Sequence, residues 1–411
     1  MEGKTHGQGL FRGWLVAIFS FFLTSSFGII YSYSDFFIPL GAEFNWSHAV
    51  SSTVPALALL VFSIGSVFAG YFAVRIGFRK LAYTGAILIG VGTGFSSLIQ
   101  NLPELLILYG IMMPLGTSFV VIIASSQTVK WFTRRRGLAV GIMAAGSGFG
   151  TLVVPPLAEI LIQDEGWRTG FATLGLSFFL ILAISSFFMQ TPEEREVNPY
   201  GHGEVSEVKK SYNLLEALST RIFWIIYLMF FLGAFGSTMF IVHAIPYAAT
   251  VGINELNASV GLGILGAGSL SSRLAIGLIA DRLSRSSGLI ISMMTQFVSL
   301  SILALHDPNV SVFFLCCFGI GFGYGGYLAD FIALTGDIFG SRWIQRIWGV
   351  DETAFGLGGL TGPLLAGILF DRMKSYGLVL EIATLAALAS LAISLFFSRE
   401  ITKLAKIDQR D

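Results

Sequence analysis

The sequence predicts an all-α polytopic membrane protein, on the evidence of its composition, its apolar runs and the placement of its basic residues. Of 411 residues, 54% are hydrophobic and only 12% are charged. Charged residues make up about a quarter of an ordinary soluble domain, so this chain lacks the groups that would cover a soluble surface. Lys plus Arg and Asp plus Glu number 25 each, and this zero net charge excludes a nucleic-acid binder. We therefore expect a lipid bilayer to cover most of the exterior.

Twelve apolar runs are long enough to cross a membrane, at about 20 residues for each crossing. The first run exceeds a signal-peptide core and lacks a small-residue cleavage pattern, so we expect it to be retained. The predicted spans cover residues 14–40, 50–73, 81–99, 105–128, 137–162, 168–190, 222–249, 256–280, 286–305, 310–335, 347–370 and 377–397.

A long polar stretch divides these spans into two sets of six. We predict an N-terminal six-helix bundle over residues 1–190, a cytoplasmic linker over 191–220 and a C-terminal six-helix bundle over 221–411. An internal repeat supports two related halves, because several residues recur in the second half at one common spacing. The recurring pairs are Gly70 with Gly277, Arg75 with Arg282, Phe132 with Phe339 and Pro156 with Pro363.

Basic residues predict the orientation, because cytoplasmic loops carry an excess of Lys and Arg. On one side of the predicted membrane lie Lys4, Arg12, Arg75, Arg79, Lys80, Lys130, Arg134, Arg135, Arg136, Arg195, Lys209, Lys210, Arg221, Arg282, Arg285, Arg342 and Arg346. The opposite side carries only Arg168, Arg372 and Lys374. We therefore expect a multi-pass protein of the cell membrane with both termini and the linker in the cytoplasm.

The segment from Gly70 to Lys80, Gly-Tyr-Phe-Ala-Val-Arg-Ile-Gly-Phe-Arg-Lys, resembles the signature between spans 2 and 3 of major facilitator transporters. The segment from Gly277 to Arg285 is the second copy of this signature. The first copy has Val74 where the family has an acidic residue, whereas the second keeps Asp281. The resemblance implies the major facilitator fold and a cytoplasmic latch, and the alternative is simple anchoring by positive charge. The latch residues would be Gly70, Arg75, Gly77, Arg79, Gly277, Asp281 and Arg282.

Four further segments are similar to monocarboxylate transporters and oxalate:formate antiporters. They are Trp131 to Gly141, Tyr31-Ser-Tyr33, His243-Ala-Ile-Pro246 and Ser272-Arg273. The resemblance implies a secondary active transporter of small carboxylates rather than an enzyme. The antiporters carry a lysine where Phe355 stands, and an aromatic residue beside a single cation favours a monocarboxylate with a small apolar tail.

Arg273 is the predicted substrate-binding cation. It lies eight residues before Asp281, about 12 Å from the end of its span. An arginine at that depth usually faces an aqueous cavity and marks a substrate path. Guanidinium also holds a carboxylate through two parallel hydrogen bonds. The alternatives are a permanent structural ion pair, or a side chain that extends along the span toward the cytoplasm.

Other residues complete the predicted site. Asp330, at a similar depth, is the candidate proton carrier and a possible partner of Arg273, or only a neutralising charge. His243 is a candidate gate or proton relay, or a packing residue. Asp351 and Glu352 suggest ion pairs with cytoplasmic loops, including one between Asp351 and Arg75. The predicted cavity lining comprises Tyr31, Tyr33, Tyr327 and Phe355.

These observations together predict a transporter that moves a lactate-like or pyruvate-like anion by alternating access with proton symport. Proton symport is expected because no Walker loop, metal cluster or catalytic triad suggests a different energy source. We also expect a monomer without a cofactor or metal. Two alternatives are an organic anion exchanger of the oxalate:formate type and a membrane sensor that binds an anion without transporting it.

Overall fold

The chain forms a bundle of long helices in the computed structural model, which describes residues 2–132, 136–190, 212–280, 285–340 and 344–407. A 3₁₀ turn, Ser96–Leu98, follows the fourth helix, and a π-helical segment, Leu106–Met112, joins the fifth to the sixth. The helices are α1 (Glu2–Thr24), α2 (Phe27–Phe44), α3 (His48–Ile76), α4 (Phe78–Phe95), α5 (Leu102–Leu105), α6 (Met113–Trp131), α7 (Arg136–Glu165), α8 (Trp167–Phe187), α9 (Leu214–Leu218), α10 (Arg221–Thr250), α11 (Glu255–Ala280), α12 (Arg285–Leu305), α13 (Val310–Phe339), α14 (Ile344–Met373) and α15 (Gly377–Ile407).

Each predicted span has a helical counterpart within the described ranges. Spans 1 to 6 correspond to α1 with α2, α3, α4, α5 with α6, α7 and α8, and spans 7 to 12 to α10 through α15. Eleven of these segments are long and apolar enough to cross a membrane by composition alone. The remaining one, α11, has 26 residues and contains Arg273. The predicted linker is partly helical, because Asn213 caps the short helix α9.

Helix ends alternate between two faces, because short connections join consecutive long helices. We call the face that contains residues 45–47, 166, 252–254 and 374–376 the distal face. The opposite face, which contains residues 77, 212–213 and 340, is the linker face. Gly77 ends α3 at a φ of 94°, a backbone conformation that glycine adopts without steric cost and that lets the chain reverse into α4.

The N-terminal helices (residues 2–187) meet the C-terminal helices (residues 214–407) along two close pairs. In the first pair, α3 packs on α14, where Gly356 lies against Ser63 and Gly359 against Leu59. In the second pair, α7 packs on α11, where Gly148 lies against Leu270. Small residues let helix backbones approach closely, so these contacts can slide with little obstruction.

The first span is broken between α1 and α2, and α7 fills the break. A Cβ atom on Gly150 of α7 would lie 2.0 Å from the carbonyl oxygen of Ser25, a residue in the break. A Cβ on Gly146 would lie equally close, 2.0 Å, to the carbonyl oxygen of Phe21. Both glycines therefore hold the broken span against α7.

Gly150→Ala should destabilise the protein, because the added methyl group would overlap the Ser25 carbonyl group. Overpacking of this kind costs about 1–3 kcal/mol. The matched control is Gly141→Ala on the same helix, where no described atom lies within 4 Å of an added Cβ. The measurement is thermal unfolding of the purified proteins in detergent. Equal melting temperatures for the two variants would contradict the assigned packing.

Candidate substrate site

Arg273 reaches from α11 across to α7, so its guanidinium group lies where the N-terminal and C-terminal helices meet. Its Nη1 atom donates a hydrogen bond of 2.6 Å to the carbonyl oxygen of Ala144 and a short one to the hydroxyl of Ser147. Its Nε atom is buried without a hydrogen-bond partner. Both acceptors are neutral, so these contacts orient the cation without cancelling its charge.

The Nε edge of Arg273 forms no hydrogen bond, so it is the part of the side chain that could bind an anion. A guanidinium group can bind both oxygens of a carboxylate through Nε and one terminal nitrogen. Among the described residues, no carboxylate forms an ion pair with Arg273. The Arg273 side chain therefore reaches across to α7, and no acid in the described part of the chain holds it.

An aromatic cluster lies beside the guanidinium group. Tyr31 of α2 and Tyr324 of α13 share a short hydrogen bond between their hydroxyl groups, which links the N-terminal helices to the C-terminal helices. Both hydroxyls interact electrostatically with Arg273. The ring of Phe355 lies 6.4 Å from that of Tyr324. Tyr327 packs 5.6 Å from Tyr324 and shares a 3.0 Å hydrogen bond with Ser237.

Tyr33 does not belong to this cluster, contrary to the expectation that it lines the same cavity. Its ring packs 5.4 Å from Tyr109 within the N-terminal helices, and its buried hydroxyl has no hydrogen-bond partner. Two residues along an α-helix correspond to a rotation of about 200°. Tyr31 and Tyr33 therefore point in nearly opposite directions, so only Tyr31 faces Arg273.

Asp330 is buried in α13 at the level of Arg273. The neighbouring helices α11 and α13 set this level, because Gly321 packs on Leu265 and Gly325 packs on Ser269. Four residues beyond Ser269 is Arg273, and four residues beyond Gly325 is the position just before Asp330. The polar contacts described for Arg273 in this state are with Ala144 and Ser147, and the suggested pair of Arg273 with Asp330 stays a prediction.

Asp351 and Glu352 differ from the expected ion pairs with loops. Asp351 is fully buried, and its Oδ2 atom accepts a 3.0 Å hydrogen bond from Thr335 of α13. Arg75, its suggested partner, instead stacks over Tyr71 at 4.4 Å. The backbone carbonyl of Glu352 accepts a short hydrogen bond from Ser63 of α3. Asp351 therefore belongs to the packed interior, whereas Glu352 is half-buried and its carboxylate interacts with Tyr31 and Tyr327.

The distal face is closed by Asp371, which comes from α14 but caps the N-terminus of α3. Its two oxygens accept hydrogen bonds of 3.0 Å and 2.8 Å from the backbone N–H groups of His48 and Ala49. The His48 ring lies 3.7 Å from the same carboxylate. A carboxylate at a helix N-terminus is stabilised by the helix dipole. This contact therefore holds an N-terminal helix to a C-terminal one.

His243 forms a second contact between the two sets of helices. Its Nε2 atom lies 2.9 Å from the Ser52 hydroxyl of α3 and 3.1 Å from the carbonyl oxygen of Pro363, while Nδ1 lies 3.0 Å from the Tyr376 hydroxyl. Burial raises the pKa of Tyr376 well above its usual range, so this hydroxyl stays protonated and donates to Nδ1. The Nε2–H group then donates toward Pro363 and Ser52, which assigns a neutral imidazole that bridges α3 and α10.

A family model described as the Major Facilitator Superfamily matches residues 13–305 and 234–411. The chain belongs to the Major Facilitator Superfamily. It is therefore a multi-pass membrane transporter and not an enzyme, and the predicted all-α polytopic fold is confirmed.

Two types of transporter are similar to this protein over most of its length. The oxalate:formate antiporter of Oxalobacter formigenes is 26% identical over 344 residues, which cover 82% of this chain and 81% of the relative. Monocarboxylate transporter 12 of Xenopus laevis is 26% identical over 427 residues, which cover 97% of this chain and 89% of the relative. The human monocarboxylate transporter 12 is 25% identical and covers 96% of this chain and 82% of its own length. These matches confirm the family resemblance seen in the motifs.

The structure describes only part of the two copies of the superfamily signature. Arg79 stacks over Phe187 of α8 at 4.2 Å, and nothing described lies within 4 Å of a Cβ built on Gly70. Gly277 lies within the helical part of α11. Asp281 and Arg282 lie outside the described residues, so the latch stays a prediction.

Sequence reasoning missed Ser147 and Asp371. Ser147 is one of many small residues in a glycine-rich helix, and no local signal separates it from its neighbours. Asp371 is followed by Arg372 and Lys374, so it resembles an ordinary loop charge. Its actual partners, His48 and Ala49, lie in the other half of the chain.

Asp371→Asn should weaken closure of the distal face, because an amide lacks the charge that favours the N-terminus of α3. A charge at this position contributes about 1 kcal/mol, or about fivefold in the ratio of closed to open protein. The measurement is the distance between spin labels at Glu165 and Leu256, two exposed residues near the distal ends of α7 and α11. The control is Asp307→Asn in an exposed distal loop, and an identical response of both variants would contradict the assignment.

Proposed function

We propose that this transporter moves a small monocarboxylate, lactate-like or pyruvate-like, by alternating access with proton symport. The observation that carries the proposal is the Nε edge of Arg273, buried without a partner beside a bond between Tyr31 and Tyr324. A cation whose protein contacts are neutral and whose Nε atom is buried attracts an anion strongly on that edge, because little water screens the interaction there. The Arg273 guanidinium group would bind the substrate carboxylate through Nε and a terminal nitrogen.

The aromatic side of the site supports a monocarboxylate rather than a dicarboxylate. Phe355 is fully buried and packs 5.9 Å from Phe230, so it offers an apolar wall next to the cation. A second carboxylate against that wall would lose its hydration without gaining a partner. The hydroxyl groups of Tyr31 and Tyr324, which must separate when the helices move apart, would be available to a substrate hydroxyl or keto oxygen.

Anion exchange of the oxalate:formate type is the second candidate, because one relative is named for that activity. Counterflow of labelled lactate, pyruvate, formate and oxalate in proteoliposomes, with and without a pH gradient, separates the candidates. Symport predicts accumulation of lactate or pyruvate that is driven by the pH gradient alone. Exchange predicts uptake that requires an anion on the other side and ignores the pH gradient.

The gate and the orientation are further parts of the proposal. The bridge from His243 to Ser52 and the cap formed by Asp371 support a distal gate that must break when the distal face opens. The bias of basic residues toward the linker face supports a cytoplasmic position for that face, for the linker at 191–220 and for both termini. The distal face would then be external, and the protein would act as a monomer in the cell membrane.

Arg273→Lys should lose most substrate affinity, because an ammonium group cannot hold a carboxylate through two parallel hydrogen bonds. Loss of one charged hydrogen bond costs about 1.5–3 kcal/mol, which is about tenfold or more in affinity. The measurement is the concentration dependence of lactate and pyruvate counterflow. Arg168→Lys, at an exposed ion pair with Glu43, is the control and should behave like the wild type. Unchanged affinity in Arg273→Lys would count decisively against the proposed site.

Asp330→Asn should abolish proton uptake that accompanies substrate entry, because an amide cannot carry a proton across the membrane. Substrate counterflow, which needs no net proton movement, should survive. The measurement is the fluorescence of a pH dye trapped in proteoliposomes during substrate entry. Proton uptake that continues undiminished in Asp330→Asn would exclude Asp330 as the carrier and leave it as a neutralising charge.

A further inference from the structure

Asp35 is a buried acid that the proposed transport cycle does not use. It lies in α2, nine residues before the distal end of that helix, and only 2% of its surface is exposed. Neither of its carboxylate oxygens has a hydrogen-bond partner. A buried carboxylate normally has several partners, so this arrangement requires an explanation.

The groups that face Asp35 come from three other elements, and none is cationic. Glu159 of α7 is buried and accepts a 2.7 Å hydrogen bond from Gln163. Tyr109 of the π-helical segment interacts electrostatically with Asp35. Ser259 of α11 lies beside it, and its buried hydroxyl could donate to the carboxylate, although the two groups form no hydrogen bond of normal geometry in this state.

No cationic side chain in the described part of the chain neutralises the acidic groups of this cluster. Glu255, at the start of α11, interacts with Glu159 and adds a further acidic group. Among the described residues, no Lys, Arg or His forms an ion pair with Asp35 or Glu159. An ionised carboxylate in such surroundings would be strongly unfavourable, whereas a carboxylic acid is neutral and tolerated.

The cluster lies where the distal face opens and closes. Asp35 and Glu159 belong to the N-terminal helices, and Ser259 belongs to the C-terminal ones. The neighbouring Ser34 donates a 3.0 Å hydrogen bond to the carbonyl oxygen of Val242 in α10, across the same interface. Separation of α11 and α10 from α2 would therefore admit water to Asp35.

We propose that Asp35 is a proton-binding site that is filled when the distal face closes and emptied when it opens. Closure removes the carboxylate from water, so the group takes up one proton from the distal solution. Opening returns the carboxylate to water, and the proton leaves to the same solution. The proton therefore does not cross the membrane, and it is distinct from the one assigned to Asp330.

The direction of the pH effect follows from proton linkage. The closed form binds one more proton than the open form, so a fall in distal pH favours closure and a rise favours opening. The ratio of closed to open protein can change by up to about tenfold for each pH unit between the two titrations. This inference rests on the proposed opening of the distal face, but not on the identity of the substrate or on the role of Asp330.

The test uses the full chain in lipid nanodiscs, with Cys316→Ala and Cys317→Ala and with spin labels at Glu165 and Leu256. As pH rises, the wild type should shift from the short to the long distance. Asp35→Asn, which imitates the protonated acid, should keep the short distance at every pH. The control Asp307→Asn should behave like the wild type. A wild type that ignores pH, or an Asp35→Asn variant that still responds to it, would overturn the proposal.

An infrared measurement tests whether Asp35 is protonated, and it does not depend on a conformational change. Because other buried acids can also give the carbonyl band of a protonated carboxyl group, the readout is the spectrum of the wild type minus that of Asp35→Asn at neutral pH, which should contain one such band. A difference spectrum without that band would overturn the proposal. Repeating the distance measurement with choline in place of sodium tests whether Asp35 binds sodium rather than a proton. An opening equilibrium that depends on sodium would also overturn the proposal. Failure of carboxylate transport in liposomes would refute the proposed function and leave both of these results unaffected.

Discussion

A half-buried guanidinium group between two sets of helices, with its Nε atom fully buried, is the constraint on which the rest of this structure depends. Removing Arg273 from water is costly, and the protein offsets part of that cost with a backbone carbonyl and a serine hydroxyl from the opposite side. A carboxylate partner would have offset more of the cost, but it would have cancelled the charge. Neutral acceptors orient the group and preserve its attraction for an anion. The same contacts also join α7 to α11, so the proposed binding group is part of the interface between the two sets of helices.

The closed distal face shows how such an interface can be strong enough to form and weak enough to break. Asp371 caps the first turn of α3 through two backbone N–H groups, and a neutral His243 bridges Ser52 and Pro363. Water could hydrogen-bond to the same groups if the face opened. Each contact therefore contributes only its small net hydrogen-bond energy to closure, which suits the proposed alternating access. Small side chains along α3 with α14 and α7 with α11 remove the remaining steric barrier.

Buried acids divide into two kinds in this molecule. Asp351 accepts a hydrogen bond from Thr335, and Glu159 accepts one from Gln163. Asp35 has no such support, although it is equally buried. The difference matters because an unsupported carboxylate is sensitive to whether water can reach it. Such a residue at the distal interface is the basis of the proposed link between distal pH and closure, whereas Asp330 lies at the level of Arg273.

The sequence by itself determined the number and order of the long helices and the common level of Arg273 and Asp330. These features follow from hydrophobic runs and from the rise per residue of a helix, both of which are local properties. Tertiary structure decided the partners. Whether Tyr31 or Tyr33 faces the cation depends on how α2 is rotated against α13, and the link between Asp371 and His48 joins residues from opposite halves of the chain. Periodicity cannot supply such information, because contacts between distant segments depend on how whole helices pack.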